Sequence, residues 1–76
     1  MEFAAWKELL IKNVESSMQV NVNWRYGQTV FNEMCDMGLG NHIRMTELDC
    51  FYFKPEQLNE AWWSKIEALY NKKVMA

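Results

Sequence analysis

Apolar residues recur at helical spacing over 3–18. Phe3, Trp6, Leu10 and Val14 stand three or four apart, Ile11 and Met18 flank them, and Glu8, Lys12, Glu15 and Ser16 take the other side. The pattern predicts an amphipathic helix, with Glu8 and Lys12 at i and i+4 in the favourable order. Ser16-Ser17 and the alternation Val20-Asn21-Val22-Asn23 lower helix propensity, so the helix is expected to end near Gln19 in a short extended connector. Asn23 then reads as an N-cap, and a second helical period follows. Its apolar face holds Trp24, Gly27, Phe31, Met34 and Cys35, with Val30 and Met37 at the edge. Gly27 interrupts that face, and a mid-helix glycine costs about 1 kcal/mol relative to Ala. Its expected purpose is to let another helix or an aromatic side chain come close. Arg25, Gln28 and Asn32 form one polar row on the opposite side, and Gly38 and Gly40 are expected to end the helix.

Over 39–53 the periodicity is lost, although Asn41 and Thr46 are each able to cap a helical turn, and Thr46-Glu47-Leu48-Asp49 has the spacing of a capping box with Asp in place of Glu. Cys50-Phe51-Tyr52-Phe53 is the most aromatic stretch and has no partner strand, so it is expected to be a loop that plugs its rings between helices. Pro55 followed by Glu56 signals a third helix over 55–71, with Leu58, Trp62, Ile66 and Leu69 as its buried stripe and Lys72-Lys73 at its C-terminal end. Trp63 and Tyr70 lie on a flank and are expected to be exposed. The predicted fold is all-α, a small three-helix domain over 1–76 with an aromatic-rich loop between helices 2 and 3.

Composition narrows the function classes. The chain has 76 residues, half of them hydrophobic, with eight Lys+Arg against ten Asp+Glu for a net charge of −2. A chain this short hides only roughly 60% of its unfolded surface, which leaves one core and no interdomain cleft for a large enzyme. The apolar runs at 3–6 and 9–11 fall far short of the ~20 residues of a membrane span. Glu2 stands where a signal peptide carries positive charge, so the expected location is cytoplasmic. There is no basic footprint for nucleic acid, and the loop between helices 2 and 3 is too long for a helix-turn-helix.

Candidate chemistry is sparse. Cys35 and Cys50, with His42, offer three soft ligands where a zinc site takes about four, so neither metal nor cofactor is expected and both cysteines read as reduced, partly buried thiols. His42 reads as an exposed loop residue. Gly38-Leu39-Gly40 lacks the continuation of a phosphate-binding loop, and Glu47 and Asp49 read as solvated or capping groups rather than an acid-base pair. No enzymatic activity is expected.

Two blocks, Trp24-Arg25-Tyr26-Gly27-Gln28-Thr29-Val30-Phe31-Asn32 and Ile43-Arg44-Met45-Thr46-Glu47-Leu48-Asp49-Cys50-Phe51-Tyr52, together resemble a family of short phage and prophage proteins. The family pattern runs R-x-G-Q-x-x-F-N, then I-R-G-T-x-x-D-P-F-Y, then an aromatic-rich helix, which Trp62-Trp63 echoes. The matching positions are Arg25, Gly27, Gln28, Phe31 and Asn32, then Ile43, Arg44, Thr46, Asp49, Phe51 and Tyr52. Met45 stands where the pattern has Gly, Cys50 where it has Pro, and the stretch between the blocks is short. The resemblance implies a phage-type origin and a motif, but no reaction.

Two roles are open for the motif. Arg25, Gln28 and Asn32 either bond the loop's carbonyls and Asp49, pinning the aromatic segment, or line a recognition patch. The leading expectation is a small non-enzymatic accessory protein that binds a bacterial or phage protein, for instance inhibiting a host or defence factor. Its candidate partner-binding residues are Trp63, Tyr70, Arg25, Gln28, Asn32 and Tyr52, with Gly27, Phe31, Thr46, Asp49 and Phe51 as a structural motif. Alternatives are a homodimer closed by Trp63 and Tyr70, and a small-ligand or nucleotide site at the Arg25 row.

Overall fold

The apolar stripe of the first segment becomes the buried face of a helix, with Trp6, Leu10 and Val14 all removed from solvent. The computed structural model describes residues 1–75 and is all-α, with no strand among the described residues. Its helices are α1 (Phe3–Val20), α2 (Tyr26–Asp36), the single turn α3 (Gly40–Ile43) and α4 (Glu60–Lys73), with a 3-10 turn at Pro55–Gln57. Among the described residues, no helix is long and apolar enough to cross a membrane. Helix α1 packs against both α2 and α4, and α3 folds back on α2. The core closes around Leu10, Val14, Val30, Met34, Leu39, Ile43 and Ile66, all without exposed surface.

Several boundaries differ from those the sequence predicts. Helix α1 runs to Val20, where Asn21 caps it by donating from Nδ2 to the Ser17 carbonyl at 3.1 Å. Trp24 N–H then bonds the Asn21 carbonyl at 3.0 Å, which makes the connection a tight turn rather than an extended link. That turn delays α2, so Arg25 and not Asn23 is its N-cap residue. The Arg25 carbonyl accepts both the backbone N–H of Thr29 at 3.0 Å and its hydroxyl at 2.8 Å, satisfying the fully buried Thr29 side chain. At the other end Gly38, with φ +91°, places Leu39 N–H on the Met34 carbonyl at 3.0 Å, a Schellman stop. Gly40 has a different role from the one expected. It opens α3, and a Cβ there would sit 2.2 Å from Cys35 Sγ, so its bare backbone is what lets α3 turn onto α2.

The predicted third helix is divided. Pro55 starts only a 3-10 turn, closed by Gln57 Oε1 accepting from Lys54 N–H at 2.9 Å. Leu58 then turns inward, and Asn59 caps α4 by accepting from Trp62 N–H at 3.0 Å. The buried stripe of α4 steps by four through Trp62, Ile66 and Tyr70, leaving Leu69 half-buried. Tyr70 is drawn in by α1: its ring lies 4.9 Å from Trp6 and 5.6 Å from Phe3, and its hydroxyl donates to the Met1 carbonyl. Trp6 Nε1 likewise donates to the Met37 carbonyl at 3.2 Å, tying α1 to the end of α2.

Gly27 is buried in the first turn of α2. A Cβ built on it would lie 2.4 Å from the Cys50 carbonyl oxygen and 2.5 Å from that of Phe53. The partner in the close approach is therefore the backbone of the aromatic loop, neither a helix nor a ring. Backbone cannot swing aside, so Gly27→Ala is expected to lower stability by about 1–3 kcal/mol despite alanine's better helix propensity. Urea unfolding of Gly27→Ala measures this, and a neutral or stabilised variant would contradict the contact.

Candidate functional site: an aromatic groove beside the 44–53 loop

Three successive turns lead from α3 to the aromatic stretch. Thr46 N–H bonds the Ile43 carbonyl, Asp49 N–H that of Thr46, and Phe53 N–H that of Cys50, at 3.0–3.1 Å. The Asp49 carboxylate clips the first turn to the last, with Oδ2 accepting from Met45 N–H at 2.9 Å and Oδ1 from Phe51 N–H at 3.1 Å. Thr46 Oγ1 donates to the Ile43 carbonyl and accepts from Leu48 N–H. From outside the loop, Trp62 Nε1 donates to the Leu48 carbonyl at 3.1 Å and Cys50 Sγ approaches the Gly27 carbonyl at 3.5 Å. The pinning role expected of Arg25, Gln28 and Asn32 thus falls to other groups: the loop's own Thr46 and Asp49, an α4 indole and the Gly27 backbone. The physical reason is that Arg25 lies outside α2, so only Gln28 and Asn32 remain of the helical row.

The stretch 50–53 is a β-turn with Gly27 packed across its base. Cys50 is fully buried, and Phe51 and Phe53 are half-buried against the core. Tyr52, at the corner of the turn, is 76% exposed, so it takes no part in the plug. Its ring meets Phe51 edge-on at 4.9 Å, and Phe51 in turn meets the buried Phe31 at 5.9 Å. These rings form one wall of an open groove of about 650 Å³ that also draws Trp24, Asn32, Glu33, Asp36, Arg44, Met45 and Asp49 to its lining. The Arg44 guanidinium stands 5.5 Å from the centre of the Phe31 ring, and its Nη2 lies 3.9 Å from Cys35 Sγ.

The predicted site residues divide accordingly. Asn32 and Tyr52 line the groove, together with Phe31, Asp49 and Phe51 of the expected motif, whereas Arg25 and Gln28 lie outside its lining. Tyr70, expected at the surface, is 1% exposed. Trp63 is half-buried, with Phe3 6.4 Å away, Trp62 edge-on at 4.8 Å and Lys7 Nζ 4.3 Å above its ring. The expected exposure of Tyr70 is therefore corrected, since it belongs to the core, while Trp63 keeps part of its ring at the surface. Five of these groove residues, Trp24, Glu33, Asp36, Arg44 and Met45, carry no site assignment from the sequence: Trp24 falls on the apolar face of the second helical period, Arg44 matches the resembled pattern and Met45 departs from it. The signal for Met45 was the glycine of the family pattern, because its φ of +62° is left-handed.

The polar groups lining the groove are the carboxylates of Glu33, Asp36 and Asp49, the amides of Asn21 and Asn32, the Ser17 hydroxyl and the Arg44 guanidinium. Among the described residues no group of three His, Cys, Asp or Glu gathers as metal ligands. Both cysteines are free. Burial first, then the negative charge of Asp49, pushes the Cys50 thiol up to about 12, so it stays protonated and unreactive at neutral pH. Burial also raises the Tyr26 phenol, with Glu15 and Cys50 adding to the effect.

Two predictions follow from these geometries. Met45 is 91% exposed, so Met45→Gly removes no packing; it relieves a left-handed conformation worth about 1–2 kcal/mol, offset by glycine's greater unfolded-state freedom of about 0.5–1 kcal/mol. Thermal unfolding is expected to show a net gain of up to about 1 kcal/mol, and a clear loss would contradict the assignment. For Cys50, the unfolded thiol loses its proton near about 8.5 while the folded one holds it, so the stabilisation is complete below that pH. It is lost as pH rises towards 12. Stability of the wild type is expected to fall more steeply above pH ~9 than that of Cys50→Ala, and parallel pH profiles would contradict the burial of the thiol.

Compared with family models, with curated proteins and with solved structures, the chain has no match.

Proposed function

We propose that the chain is a small non-enzymatic binding protein that engages a protein partner through the groove between α2 and the aromatic turn. The observation that carries the reading is Tyr52, an aromatic ring 76% exposed at the corner of a turn whose base is fixed on Gly27. Tyr, Trp and Arg are the residue types on which interface energy concentrates, and Tyr52, Trp24 and Arg44 share this one concave surface. A ring held by a rigid backbone loses little freedom on binding, which favours its use as an anchor. The resemblance of 24–52 to short phage and prophage proteins supports the finer form of the proposal, a phage-encoded accessory protein acting in the bacterial cytoplasm on a host or defence factor.

The test is affinity capture from bacterial lysate with wild-type, Tyr52→Ala and Arg44→Ala proteins, each shown by circular dichroism to be folded. A specifically captured protein is expected to be lost from both variants, since truncating an interface anchor weakens binding by about 2 kcal/mol or more, roughly thirtyfold. Undiminished capture by both variants would contradict the groove as the binding surface.

A further inference from the structure

The groove has a charge and an aromatic character that together specify what fits it. Its rim carries the carboxylates of Glu33, Asp36 and Asp49 against a single cation, Arg44. Trp24, Phe51 and Tyr52 add aromatic rings to the lining. Within this lining Arg44 already sets its own guanidinium 5.5 Å from the centre of the Phe31 ring, an intramolecular case of the cation–ring pairing such a surface favours. A cation over an aromatic face is attracted by the ring's quadrupole, and flanking carboxylates add to the attraction.

We propose that the groove recognises a cationic side chain, Lys or Arg, presented by a basic segment of a protein partner. The inference rests on the groove being the binding surface and adds the chemical class of what enters it. The exposed Tyr52 and the partly exposed Trp24 supply aromatic surface, Glu33 and Asp36 the charge complement. Arg44, already seated on Phe31, occupies that ring, so an incoming cation is left with Tyr52 and Trp24. An acidic segment meets three carboxylates and is repelled. The second surface groove, between Leu48 and Leu69, is lined by Lys65 and Lys72 against the single carboxylate of Glu47, so its charge balance is the reverse and it serves as an internal control.

The experiment titrates the ¹⁵N-labelled full chain with two capped pentapeptides, Arg-Gly-Arg-Gly-Arg and Glu-Gly-Glu-Gly-Glu. The basic peptide is expected to shift the Trp24 indole N–H and the amides of Met45, Phe51 and Tyr52, while the acidic peptide leaves them in place. Tyr52→Ala, at an exposed position that leaves the core intact, is expected to weaken the basic peptide by about two- to fivefold, and Tyr52→Phe to retain it. Equal shifts by both peptides, shifts spread over other acidic surfaces, or a Tyr52→Ala variant that binds as well as wild type would each overturn the proposal. These outcomes are separable from the capture experiment: a partner that is lost from Tyr52→Ala there, with no response to the basic peptide here, keeps the groove and removes the cation.

Discussion

Backbone lies against backbone where the first turn of α2 meets the turn at 50–53, and Gly27 is the residue that permits it. The consequences run outward from that contact. Because the base of the turn is fixed on α2, Cys50 is driven into the core and Phe51 and Phe53 are set against it, while the corner residue Tyr52 is left in solvent. The same contact sets how far the 44–52 segment stands from α2, and the space left beside it is the groove. Asp49 then makes the loop one unit, since its two carboxylate oxygens tie Met45 to Phe51.

A domain of this size has few residues with which to join its elements, and aromatic side chains with polar tips do much of it. Trp6 joins α1 to the end of α2, Trp62 joins α4 to the loop, and Tyr70 joins α4 to the N-terminal residue, each through one hydrogen bond to a backbone carbonyl. Each ring contributes buried area and also satisfies its own N–H or O–H, which is what a buried indole or phenol requires. Among the described residues no buried side-chain nitrogen or oxygen lacks a partner. Most of the aromatic side chains therefore have a structural use, and among the described residues the exposed one is Tyr52 rather than a row on α4.

The helical content and the α1 stripe were legible because they depend on local periodicity. Trp6, Leu10 and Val14 follow from spacing alone. Gly27 was legible as a close-approach site but its partner was not, because the turn that covers it lies more than twenty residues away and leaves no mark on the local pattern. The α4 errors have a similar origin. From Ile66 the stripe continues equally well to Leu69 or Tyr70, and Phe3 and Trp6 on a distant helix decide for Tyr70. The start of α4 was misplaced because Pro55 and Asn59 are both start signals, and only the inward turn of Leu58 separates them. In the groove, Asn32 and Tyr52 were anticipated, but Arg44 and Trp24 were not, since their shared surface is assembled by three turns.

The groove in this chain is thus a product of one tight backbone contact that holds an aromatic corner outward. The direct test is a nuclear Overhauser measurement on the wild-type protein, between the Gly27 α-protons and the backbone amide of Phe53. With a Gly27 Cβ position 3.2 Å from the Phe53 nitrogen, a strong cross-peak is predicted. Its absence in a folded protein would show that the turn does not rest on α2, and the account of both the loop and the groove would fail.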